Sequence, residues 1–245
     1  MRTTRRLTVA RVRLGRMSVA EPVVVLVEGR SDVAAVITFM RSAGINAGEP
    51  VDVIDMGGVT NIRRHLEHFT APGRARRILG LCDAGDAGVF LRALQAREIP
   101  VNDPDGMARY GFHVSRADLE GELIRSLGTD AVLGVLTDLG LRERFEGLRR
   151  QRYWRDRDLP AQLHRFAGIA SGRKVRVARA LAEATPWADA PVPLRGLVEQ
   201  IAHALRTAGT PPLSAFPEAH SPLWFRGTAA RPSATAPVNG ERRRQ

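Results

Sequence analysis

The run Val23–Val27 (VVVLV) constrains the fold more than any other stretch of this 245-residue chain. Continuous branched apolar residues with no polar alternation suit a strand buried on both faces, the habit of parallel sheets. A turn follows at Glu28-Gly29-Arg30-Ser31. Ser31 or Asp32 is placed to cap a helix that reaches about residue 43. The pattern then recurs. Residues 51–54, 77–82 and 110–114 read as further strands, and 60–69, 89–97 and 118–127 read as the helices between and after them.

Strands alternating with helices at this spacing predict an α/β fold, an open and mainly parallel four-stranded sheet flanked by helices. From about 129 onward only helical patterns remain, at 130–139, 142–152, 159–166, 174–184 and 194–207. The expected organisation is a basic tail over 1–20, an α/β domain over 21–128, a helical C-terminal extension over 129–210, and a Pro/Ala/Arg-rich tail over 211–245.

Charge places the basicity outside that core. The net charge is +11, yet residues 1–16 carry six arginines without an acid, and 226–245 carry five arginines against one glutamate. The part between is close to neutral. The tails can add salt-sensitive affinity for phosphates, or simply keep the termini solvated. At 44% hydrophobic the chain can bury a core, but no apolar run approaches the roughly 20 residues needed to span a bilayer. Cys82 is the only cysteine, so no intrachain disulfide can form. With no apolar secretory segment either, a cytoplasmic location is expected and no membrane partner.

In open α/β sheets ligands bind beyond the carboxyl ends of the strands. Acids fall at three of those ends: Glu28 and Asp32 after the first strand, Asp83 and Asp86 after the third, Asp118 and Glu120 after the fourth. Carboxylates brought together repel unless something positive sits among them. Hard oxygen donors suit Mg²⁺, Mn²⁺ or Ca²⁺. Helix capping is the competing role for Asp32 and Asp118.

The segments VVVLVEGRSD, DVIDMGGVTNI and ILGLCDAGDAG, in this order, resemble the Toprim domain of topoisomerases, primases and related nucleases. VSRADLEGEL and the later SGRKVRVARALAEA narrow the resemblance to the Toprim of overcoming-lysogenization-defect (OLD) endonucleases. It spans roughly residues 22–205 and implies a Toprim-like fold with metal-dependent cleavage of DNA. It also implies metal ligands at Glu28, Asp32, Asp83, Asp86, Asp118 and Glu120, with Mg²⁺ or Mn²⁺ as the working ion and Ca²⁺ as a non-catalytic substitute. Glu28 is either a ligand or a general base, and Lys174 is the catalytic lysine. A non-catalytic nucleic-acid-binding module and an RNA-processing nuclease are the alternatives. A separate ATPase chain and a second copy of this chain are the protein partners that this reading admits.

Two departures stand out. The usual Asp-x-Asp becomes Asp83-Ala84-Gly85-Asp86, which displaces the second acid by one residue: either the loop bends and Asp86 reaches the metal, or one metal is bound weakly or lost. No G-x-x-x-x-G-K-[ST] phosphate loop occurs, so no ATP site is expected on this chain.

Lys174 is the single lysine among 37 basic residues, the rest being arginine. Either composition left it by chance, or a site requires a compact ammonium rather than a planar guanidinium. His65 and His68 are expected on an exposed helix face, solvated or facing nucleic acid, and Cys82 is expected to be a packing residue. The run Arg149-Arg150-Gln151-Arg152-Tyr153-Trp154-Arg155 mixes cations with aromatics. It reads either as a solvated helix end or as part of a nucleic-acid groove. Gly57-Gly58 makes a turn near the acids, or lets a phosphate approach the backbone.

Overall fold

The computed structural model describes residues 22–46, 49–71, 76–169 and 171–207. The two basic tails lie outside them. Four strands, β1 (Val23–Val27), β2 (Val51–Asp55), β3 (Arg77–Asp83) and β4 (Phe112–Ser115), form one parallel sheet in the order β2-β1-β3-β4. Val23 faces Val51 on one side and Arg77 on the other, and β3 meets β4 from Gly80–Phe112 to Asp83–Ser115. The strand order reverses between β1 and β3, which opens a crevice at their carboxyl ends.

Helices α1 (Arg30–Ser42), α2 (Ile62–Thr70), α3 (Ala87–Gln95) and α4 (Leu119–Leu127) follow the four strands in turn. Five more complete the described chain: α5 (Thr129–Asp138), α6 (Arg142–Arg149), α7 (Leu159–Gly168), α8 (Ser171–Ala184) and α9 (Val192–Thr207).

The strand residues alternate between two cores, as the period of two requires. Val24, Leu26, Ile78, Cys82 and Phe112 pack against α2 and α3. Val23, Val25, Val27, Leu79 and Leu81 pack on the opposite face, in a cluster that also holds Val36 and Phe39 of α1 and Leu197 and Ile201 of α9. Val132, Phe145, Leu163, Val177 and Leu181 belong to this same cluster. The helices beyond residue 128 therefore continue the core of the sheet, and α8 packs along α1 and touches α4 and α7. Lys174 is carried to the sheet by that packing.

Element boundaries shift where local chemistry competes. α1 begins at Arg30 with Gly29 as its N-cap, so Asp32 is in the first turn and not at the cap. β4 begins at Phe112 because a short 3₁₀ helix, Asp105–Tyr110, occupies the preceding residues and ends at Gly111, whose φ is +90°. α6 ends at Arg149 instead of 152, and α8 starts three residues earlier than the sequence pattern indicates. His65 is a correction: it is buried at 5% exposure beside Leu66 and not solvated. Burial lowers its pKa, with Arg64 adding to the effect. No helix among the described residues is long and apolar enough to cross a membrane.

Candidate metal and phosphate site

The crevice between β1 and β3 gathers the predicted acids. Glu28 follows directly on β1, and its Oε1 accepts a hydrogen bond from the Asp83 amide at 3.0 Å, which ties the two strand ends together. The Gly57-Gly58 turn supports Glu28 from the other side: the Gly58 amide donates to the Glu28 carbonyl at 3.0 Å. Gly58 holds φ +113°, a conformation that side chains rarely adopt. Asp32 Oδ2 accepts from the Gly29 amide at 2.9 Å, so this carboxylate also steadies the start of α1.

Asp86 reaches the cluster despite its displacement. A turn closed by the Asp86 amide on the Asp83 carbonyl, 3.0 Å, curls the loop back. The Asp86 carboxylate then lies near that of Glu28 and helps raise the Glu28 pKa.

Asp118 caps α4, accepting from the Gly121 amide at 2.8 Å through Oδ1. Its Oδ2 lies 2.5 Å from His164 Nε2 on α7. Glu120 and Glu122 share the same helix turn, but their surroundings differ. Glu122 accepts from the Arg116 amide and pairs with Arg125, each at 2.7 Å. Glu120 is 3% exposed, and among the described residues its Oε1 accepts no hydrogen bond. The nearest positive group is the Lys174 ammonium, 3.4 Å away.

The electrostatics describe one frustrated cluster. Burial raises Asp83 to about 8, and Glu28, Asp32, Asp118 and Glu120 add to the rise. Burial raises Glu28 to about 7, opposed by the Asp83 amide and reinforced by Asp86 and Asp32. Asp32 is raised to about 6, first by burial and then by Glu120. Burial also raises Glu120, although Lys174 pulls it back. Lys174 is disfavoured as a cation by burial, but Glu120, Asp32 and Asp83 outweigh this and leave its pKa raised. A single ammonium therefore faces more carboxylates than it can neutralise.

All six predicted acids and Lys174 thus come together. His164 joins them and was missed by the sequence reading; it stands 46 residues from Asp118, and no local spacing marks the pair. Among the described residues, no three His, Cys, Asp or Glu side chains are already closed to metal-holding distance. The donor chemistry fits a hard divalent cation: the buried Glu120 Oε1 accepts no hydrogen bond of good geometry, and the Lys174 ammonium at 3.4 Å is the positive charge it meets. Cys82 lies behind the site at 2% exposure, its thiol pKa pushed up by burial, which suits packing and not nucleophilic attack.

No protein-family model matches the chain, and no curated protein does either. Solved structures do. The C-terminal region of the Xanthomonas campestris pv. campestris OLD protein is 25% identical with a TM-score of 0.56, over 76% of this chain and 94% of that one. The C-terminal region of the Burkholderia pseudomallei OLD protein is 19% identical with a TM-score of 0.54, over 76% and 98%. The chain therefore has the Toprim-like architecture of OLD-protein C-terminal regions, the same resemblance that its acidic segments carry in the sequence.

Proposed function

We propose that this chain is a metal-dependent nuclease domain of the OLD type, cleaving phosphodiester bonds in DNA. The observation that carries the reading is the meeting of acids from three parallel strand ends with the chain's single lysine, delivered by α8. Glu28, Asp32, Asp83, Asp86, Asp118 and Glu120 would hold Mg²⁺ or Mn²⁺. Divalent ions held there would supply Lewis acidity to the scissile phosphate.

The chain's own groups divide the remaining work. Glu28, fixed by the Asp83 amide, either completes the coordination or takes a proton from the attacking water. Lys174 keeps its charge beside the acids and would stabilise phosphate oxygens as they gain negative charge. Its ammonium is a compact point charge, whereas a guanidinium would spread over several donors in a plane. His164 orients Asp118 through a contact that leaves Oδ1 to cap α4.

The test is cleavage of matched DNA and RNA substrates, supercoiled, linear duplex and single-stranded, with Mg²⁺ or Mn²⁺. Asp83→Asn and Glu120→Gln should each lose at least about 100-fold in rate. Equal cleavage by wild type and both variants would overturn the reading. Exclusive cleavage of RNA would move the substrate class to RNA processing.

A further inference from the structure

The loop between α6 and α7 is held from beneath by a glutamine. Gln162 is 2% exposed, and its Nε2 donates to the carbonyls of Trp154 and Arg157 at 2.7 and 2.9 Å. Its Oε1 accepts from Arg149 Nε at 2.9 Å, and Arg149 pairs in turn with Glu146 at 3.2 Å. Buried, fully used amides of this kind fix a loop in one shape.

The core does not use Tyr153, whereas Trp154 is half-buried and packs against the core's edge. Tyr153 is 65% exposed, with the Arg157 guanidinium 5.1 Å above its ring and Trp154 edge-on at 5.1 Å. Arg165 lies 5.8 Å over the Trp154 ring. These side chains line an open cleft of about 330 Å³, and His164 forms part of its wall. The His164 contact with Asp118 sets one wall of the cleft beside the acidic cluster.

From this geometry we infer that the cleft is a subsite for an unpaired nucleotide, so that the strand being cut enters the acidic cluster single-stranded on this side. The inference rests on reading the acidic cluster as a phosphodiester-cleaving site. A base inside a duplex hides its faces in the stack, whereas an unpaired base offers one to Tyr153 or Trp154. Arg157 and Arg165 supply positive charge for the flanking phosphates, where the neighbouring cluster alone would repel them. The preformed loop lowers the ordering cost of binding.

The test is fluorescence anisotropy with labelled oligodeoxythymidylate and a blunt duplex of equal length, in EDTA so that no cleavage runs. Tyr153→Ala should weaken single-strand binding about tenfold and leave duplex binding unchanged. Tyr153→Phe should keep most of the affinity, because the ring remains and only the hydroxyl that accepts from Arg157 at 3.3 Å is lost. Arg157→Ala should weaken single-strand binding and flatten its salt dependence by about one phosphate contact. The high exposure of Tyr153 keeps these changes away from the core, and unchanged thermal unfolding confirms it. Equal single-strand affinity for wild type and Tyr153→Ala, or an equal loss on duplex, would overturn the subsite while leaving the nuclease reading intact. Ring-dependent single-strand binding by a chain that cleaves nothing would instead uphold the subsite and sink the catalytic reading.

Discussion

Replacing Asp83 by Asn should make the metal-free protein more stable while disabling its site. Asp83 sits at the crevice with its pKa raised to about 8 by burial and by four neighbouring carboxylates. Its unfolded value is about 3.9. A carboxyl with a raised folded pKa binds its proton more tightly when folded. Its contribution to stability is therefore fullest below the unfolded pKa and is lost as pH rises through about 8. At pH 8.5 the full shift would amount to roughly 5 kcal/mol at 1.36 kcal/mol per unit. The carboxyl keeps some contact with solvent and its neighbours relax, which brings the gain from neutralising it to about 1–3 kcal/mol. For a chain of this length each kcal/mol moves the midpoint by about 2–4 °C. Thermal unfolding in EDTA should thus show Asp83→Asn melting several degrees above wild type at pH 8.5. The gap should shrink as pH falls toward about 4. An unchanged or lower midpoint at pH 8.5 would refute the idea that the acids are in conflict.

Four further outcomes follow from the same geometry. Lys174→Arg should cut cleavage at least about tenfold while Mn²⁺ binding and unfolding stay as in wild type; full activity would return Lys174 to a compositional accident. Mn²⁺ affinity should rise as pH increases from about 6 to 8, with protons released, because Asp32, Glu28 and Asp83 are raised to about 6, 7 and 8. Calorimetry in buffers of different ionisation enthalpy would show this, and a pH-independent affinity would contradict it. Gly85→Asp restores the Asp-x-Asp spacing at a position where an added Cβ meets nothing within 4 Å, and should tighten Mn²⁺ binding. Gly80→Ala should destabilise the sheet by about 1–3 kcal/mol, since its Cβ would lie 2.7 Å from the Phe112 ring, and urea unfolding would report it.

Much of this was legible in the sequence because it is locally encoded. Val23–Val27 declares a doubly buried strand; Glu28 follows β1 directly, Asp83 ends β3, and Asp118 and Glu120 lie at the start of the helix after β4. Parallel pairing then does the rest, bringing equivalent strand ends together. Lys174 stood out only because every other basic residue is an arginine. What stayed hidden depends on tertiary contacts. His164 meets Asp118 across 46 residues through the packing of α7 on α4. The run after Arg149 shows cations and aromatics, but nothing local announces that Gln162 will hold its backbone. Asp86 looked out of place as text, and the turn from Asp83 brings it back. The burial of His65 is set by how deeply α2 sits in the second core.

Whether the strand-end acids hold divalent ions is settled most directly by anomalous diffraction at the manganese edge from crystals grown with Mn²⁺. The expected result is a peak between Glu28 and Asp83, with a second near Asp118 and Glu120 if two ions bind, each lost in the corresponding Asn or Gln variant. A crystal saturated with Mn²⁺ that shows no peak among these carboxylates would contradict the metal site, and with it the proposed nuclease.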